Sequence, residues 1–150
     1  MNILNKKAGF TLMEIMITVV IIALLAAAGI PYYKDHVERQ KAALGVTNLR
    51  MIADSVERYM ALHGETIPTN FTLLDADIDH SRLSSNNTRY SDGNFTFRIL
   101  DSENPPRVEG RRNTNEYSLV FSLGDDSELY CVPTSRDFCV DKLGLPEHED

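Results

Sequence analysis

The sequence of 150 residues is poor in base, with 15 Lys+Arg against 22 Asp+Glu, and it has two cysteines and no tryptophan. A formal net charge of -7 argues against a general nucleic-acid binder, because neutralising phosphates needs a concentrated basic face. The cysteines, Cys131 and Cys139, have no third thiol or clustered histidine beside them, which argues against zinc and leaves a disulfide as the economical reading. His36, His63, His80 and His148 share no ligand spacing with one another or with the cysteines, and read as surface residues. There is no Gly-rich phosphate loop, no nucleophile motif and no supported pair of carboxylates, so neither an enzyme nor a cofactor is expected. The length fits one domain.

The most informative scarcity is local. A mean hydropathy of -0.24 conceals a block from Ile15 to Ile30 without a single charge. The apolar segment from Phe10 to Ile30 is interrupted only by Thr11, Glu14 and Thr18, and as a helix it measures about 31 Å, enough to span a bilayer. Lys6 and Lys7, in the short polar stretch MNILNKKAG, hold the N-terminus in the cytoplasm and send everything after Pro31 to the far side, where disulfides form.

A conventional secretory signal would use the same lysines, Ile15 to Leu25 as its apolar core, and Ala26-Ala27-Ala28 as a cleavage site, leaving a soluble exported binding domain. Glu14 weighs against it, since an ionised side chain inside an insertion segment costs about 2 to 3 kcal/mol. Such an acid needs a cation. If the chain were cut between Gly9 and Phe10, the new α-amine would lie one helical turn from Glu14, in the same chain or in a staggered neighbour.

The run Ala8-Gly9-Phe10-Thr11-Leu12-Met13-Glu14, followed by fourteen uncharged residues, resembles the class III prepilin signal and N-methylation motif of the type IV pilin and pseudopilin family. The Gly, the aromatic after it, the Thr, the Glu and Pro31 fall where that family has them, while Met13 replaces the more usual branched aliphatic. The resemblance covers about residues 8 to 33. It implies cleavage after Gly9 by a prepilin peptidase, methylation of the Phe10 amine, and assembly guided by Glu14, with Pro31 in a stretch that partly melts in the filament. Residues 1–9 are then a leader, 10–31 a transmembrane and assembly half-helix, and 32–150 a head.

The function implied is a structural subunit of a type IV pilus-like filament or, alternatively, a pseudopilin of a type II secretion system. The implied partners are copies of itself and related pilins, the prepilin peptidase, the inner-membrane assembly machinery and, before assembly, the membrane. The precursor is expected in the bacterial inner membrane and the product in a pilus or periplasmic pseudopilus. Without Lys6 and Lys7 the processed chain carries 13 bases against 22 acids.

The expected fold is α+β and pilin-like: a long N-terminal helix, its second half packed against a small antiparallel sheet. Gly45, Leu49, Ile52, Val56, Tyr59 and Met60 recur at spacings of three and four, and Gly64 is a natural C-cap, which predicts one helix to about His63, roughly 80 Å long. Asp35 with Arg39 and Asp54 with Arg58 are spaced for i,i+4 ion pairs. Pro31 removes the helix hydrogen bond to Ala27, and Gly29 loosens the same turn.

From Glu65 to Asn94 the polar composition reads as a variable loop. Strands are expected at 94–100, 116–123 and 128–132, the last two as a hairpin through Gly124-Asp125-Asp126-Ser127. The stretch from Asp101 to Asn115, with Pro105-Pro106 and a basic cluster of Arg107, Arg111 and Arg112, reads as a polar loop whose arginines pair with neighbouring subunits or water in preference to DNA. A Cys131–Cys139 bridge would pin the C-terminal segment to the last strand, contributing roughly 2.5 kcal/mol.

Asp75, Asp77 and Asp79 superficially suggest a calcium loop, but His80 and Asn86 occupy the positions of its Gly and Glu. That departure counts against the major pseudopilin, and the disulfide-closed end favours a pilin. Asn70, Asn86 and Asn94 open N-x-T triplets, a pattern that arises by chance in Asn- and Thr-rich loops.

Overall fold

A computed structural model describes residues 10–103, 105–114, 116–124, 127–133 and 138–146. The expected leader with Lys6, Lys7 and Gly9, the expected hairpin residues Asp125 and Asp126, and His148 lie outside the described residues. The fold is α+β: helix α1 (Leu12–Leu62), then strands β1 (Arg89–Ser91), β2 (Phe95–Leu100), β3 (Arg107–Arg112), β4 (Tyr117–Ser122) and β5 (Leu129–Pro133). All neighbouring strands pair antiparallel in the order β1-β2-β3-β4-β5. The chain divides into two compact units between Val37 and Glu38.

In the first unit, α1 is nucleated at Thr11, whose hydroxyl accepts from the Glu14 N–H at 3.2 Å while its carbonyl accepts from the Ile15 N–H at 3.3 Å. Thr11-Leu12-Met13-Glu14 has the spacing of a capping box, and a carboxylate in the first turn complements the helix dipole. Pro31 lies inside the helix, which continues through it without interruption.

In the second unit, α1 buries Ala42, Gly45, Leu49, Ile52, Ala53 and Val56, the face expected from the spacing. The core they share with the sheet is aromatic, centred on Phe95, Phe97 and Tyr117. Two glycines let these rings approach. A Cβ on Gly45 would come within 2.7 Å of the Phe95 ring, and one on Gly110 within 2.7 Å of the Phe97 ring. The helix ends in a Schellman turn: the Glu65 N–H donates to the Met60 carbonyl at 2.9 Å, with Gly64 at φ 65°.

Two strands fall where loops were expected. In β3 the inward positions are Val108, Gly110 and Arg112, so the alternation is real but carries no hydrophobic signature; Gly110 is needed by Phe97, and Arg112 finds a carboxylate on α1. Strand β1 occupies three residues near the end of the expected 65–94 loop. A tight turn holds it to β2, where Asp92 Oδ1 accepts from the backbone N–H of Asn94 at 2.8 Å and of Phe95 at 2.7 Å. The rest of that segment includes two short 3₁₀ turns, at Phe71–Leu73 and His80–Arg82.

Cys131 and Cys139 are joined by a fully buried disulfide with a Cα–Cα distance of 5.9 Å. It ties β5 to the π-helical turn Phe138–Leu143, after which the chain returns so that the Cys131 N–H donates to the Pro146 carbonyl at 2.9 Å.

Gly45→Ala and Gly110→Ala each force a methyl into a ring, and each is expected to destabilise the protein by about 1 to 3 kcal/mol. Chemical denaturation of the two variants, compared with Leu44→Ala on the exposed helix face, checks this; equal midpoints for all three would contradict the close approach.

Candidate functional site

The first candidate surface is the N-terminal part of α1. The large apolar side chains between Leu12 and Ile30 are about half to four-fifths exposed, Phe10 is 76% exposed, and an 18-residue window has a mean hydropathy of 2.5. By length and composition this helix is able to cross a membrane. Glu14 is the sole charged residue between Phe10 and Tyr33. Met13, Met16, Ile17, Val20 and Ile21 line an open apolar groove along one side, at the three-and-four spacing by which helices pack against helices. Such a surface has no chemistry to perform on a substrate. It offers area for lipid or for other helices.

The arginines expected to form one basic loop are separated by the pleat of β3. Arg112 points into the core, 5% exposed, and its guanidinium forks onto Glu38 of α1, with Nε to Oε1 at 2.6 Å and Nη2 to Oε2 at 3.1 Å. Its Nη1 donates to the Asn94 carbonyl at 2.8 Å, and the group lies over the Phe95 ring. The Tyr117 hydroxyl donates to the same Glu38 Oε1 at 3.1 Å, and Lys41 stands 3.8 Å from Oε2. Arg107 pairs with Glu103 at 3.2 Å and lies against the Tyr130 ring. Only Arg111 of the three faces outward in the exposed manner expected.

These contacts move the titrations apart. The hydrogen bond from Arg112 holds the Glu38 carboxyl below its ordinary value of 4.5, against an opposing effect of burial. Arg112 is raised by the same bond. Burial, with the Glu38 charge beside it, pushes the Tyr117 phenol well above the usual range.

Other expected pairings are rearranged. Arg58 forks onto Asp75, at 2.9 and 2.8 Å, across the gap between helix and loop, and so does not close on Asp54 as an i,i+4 ion pair. Asp79 caps the second 3₁₀ turn by accepting from the Ser81 N–H at 3.0 Å and the Ser81 hydroxyl at 2.6 Å. With Asp75 and Asp79 committed in this way, the DADIDH run is explained by loop structure. Among the described residues no group of three or more His, Cys, Asp or Glu side chains is placed to hold a metal. Asn70 and Asn86 each accept from the backbone N–H and hydroxyl of the Thr two residues on, so two of the three N-x-T triplets are Asx turns.

Residues 4–30 match the model of the prokaryotic N-terminal methylation motif. A fimbrial protein of Pseudomonas aeruginosa is 29% identical over 125 residues, covering 83% of this chain and 73% of the relative. The chain is similar to type IV pilins and pseudopilins. Type II secretion system core protein G of Aeromonas hydrophila is 25% identical over 126 residues, covering 83% of this chain and 87% of the relative. The type IV major fimbrial protein FimA of Dichelobacter nodosus is 56% identical over 43 residues, covering 29% of this chain and 27% of the relative. No solved structure matches significantly. These relatives are named for fimbriae and for a secretion system, and the similarity supports a pilin or pseudopilin subunit.

Because Glu38 is depressed in the folded state, its contribution to stability is present above 4.5 and is lost as pH falls below that value through the folded pKa. Glu38→Gln leaves a buried guanidinium without its counter-charge and is expected to cost about 3 kcal/mol at neutral pH. Denaturation curves as a function of pH check both points: the wild type should lose part of its stability on acidification, and the variant should show a flatter acid limb. A variant as stable as the wild type would remove Glu38 from this role.

Proposed function

We propose that the chain is inserted in the bacterial inner membrane, cut after Gly9, methylated at the Phe10 amine, and polymerised through α1 as the subunit of a type IV pilus-like filament. The observation that carries this reading is an exposed, bilayer-length N-terminal segment of α1 whose one charge, Glu14, sits in the first turn, four residues from the amine that cleavage would create. In lipid the chain's own amine satisfies that carboxylate only in part. In a bundle of staggered helices the Phe10 amine of a neighbour completes the pairing, so an electrostatic register is added to apolar packing that by itself scarcely distinguishes protein from lipid.

In this reading residues 1–9 are the leader, 10–31 the membrane and assembly segment, and 32–150 the head. Pro31, with no N–H for the Ala27 carbonyl, marks the place where α1 yields most readily when packed. The partners are further copies and related pilins, the prepilin peptidase and the inner-membrane assembly machinery. A second reading, a pseudopilin forming a periplasmic filament in type II secretion, is supported by similarity to protein G along most of both chains. The disulfide-closed C-terminal segment favours the pilus.

Intact mass and N-terminal sequencing of protein from native membrane or filament fractions test the processing step. A start at N-methylated Phe10 is expected, whereas a start at Gly29 would replace this reading with a soluble exported domain. Glu14→Ala is expected to leave cleavage nearly unchanged while cutting filament yield about tenfold or more, the factor that corresponds to ~1.4 kcal/mol per subunit. Normal filament yield from that variant would refute the proposed role of the carboxylate.

A further inference from the structure

The solvent face of the sheet carries a second arrangement that the assembly helix does not use. Strand pairing sets Arg89 of β1 opposite Arg98 of β2, and Thr96 of β2 opposite Arg111 of β3. On β2 and β3, Thr96, Arg98 and Arg111 alternate with core-facing Phe95, Phe97, Gly110 and Arg112, so their side chains stand on the face turned away from α1. Between them, at the end closed by Asn113, is a concavity of about 250 Å³ with no carboxylate in its lining.

The charge balance there is uneven. Arg98 is bonded through Nε to Glu109, which lies nearly buried beside it. Among the described residues no carboxylate closes an ion pair with Arg89 or Arg111. Three guanidiniums therefore share one carboxylate, leaving two positive charges on a protein that is acidic as a whole. Arg112 also borders the hollow, but its donors are spent on Glu38 and Asn94.

The frame is held in place. The Thr96 hydroxyl donates to Asn113 Oδ1 at 2.8 Å, and Asn113 Nδ2 donates to the Gly93 carbonyl at 2.9 Å. Arg89 is fixed at the backbone, its N–H donating to the Ser84 hydroxyl at 3.1 Å and its carbonyl accepting from the Ser84 N–H at 2.9 Å.

We propose that this hollow binds a doubly charged oxyanion, a phosphate or sulfate group, through the free forks of Arg89 and Arg111 and the outer donors of Arg98. Guanidinium forks match the spacing of such oxygens, and two uncompensated charges match a dianion. The group can be a free ion or the terminal substituent of a phosphorylated or sulfated sugar. The volume suits one such group, not the length of a polyanionic backbone. This inference stands on the sheet alone and is independent of whether the chain polymerises.

Calorimetric titration of the full chain in neutral detergent with inorganic phosphate, inorganic sulfate and a monosulfated sugar tests it. Saturable one-to-one binding of at least one of the three is expected, and the order of affinities separates free ion from sugar substituent. Arg89→Gln and Arg111→Gln should each weaken binding about tenfold, the loss for one charge-assisted contact, without lowering the ligand-free melting temperature. Arg50→Gln, on the exposed face of α1, should change nothing. Lack of saturation by all three probes, or an equal loss in Arg50→Gln, would overturn the site in favour of diffuse attraction.

Discussion

A buried guanidinium has to be answered by a carboxylate, and in this protein the answer comes from a different element of the fold. Arg112 projects from the end of the central strand into the core, where it is stable only because Glu38 of the helix meets both arms of its fork and Tyr117 donates to the same carboxylate. The pair fixes how far along the sheet the helix lies. With that register set, Gly45 falls against Phe95 and Leu49 comes close to Gly110, where Phe97 also sits. A ring cannot slide past a missing Cβ without losing the contact, so the polar pair and the two glycines enforce one alignment by independent means.

The helix was legible in the sequence because its two signals are strong in different ways. An uncharged run is visible without knowing any partner, and the Leu49, Ile52, Val56 stripe has the period of a half-buried helix. Strands β2 and β4 showed themselves by alternation. Strand β3 did not, because its inward residues are a valine, a glycine and an arginine, and each is apt there for a reason located elsewhere in the chain: the Phe97 ring for Gly110 and Glu38 for Arg112. Strand β1 is too short to show a period. The same limit applies to the charges. Local spacing paired Arg58 with Asp54, whereas the fold offered Asp75, seventeen residues away, with a forked geometry.

The apolar surface of α1 and the surface of the sheet are built by opposite rules. Along the N-terminal part of α1 the side chains are nearly interchangeable aliphatics, and meaning resides in what is withheld, since a single carboxylate is placed where everything else is uncharged. The head is specified by pairwise fits between distant residues, and such fits can be replaced together without any trace in local composition.

The return of the chain to β5 governs how the sheet behaves beside other copies. A five-stranded sheet has two open borders, and an open border is a row of unanswered hydrogen-bonding groups that invites a strand from another molecule. At one border β1 is only three residues long, too little to template much pairing. At the other, the Cys131 N–H is already taken by the Pro146 carbonyl, and the disulfide holds the segment that carries it within reach. Thus the bridge does more than close a loop: it turns the C-terminal segment into a guard rail, keeping the sheet of one copy from zipping onto that of another.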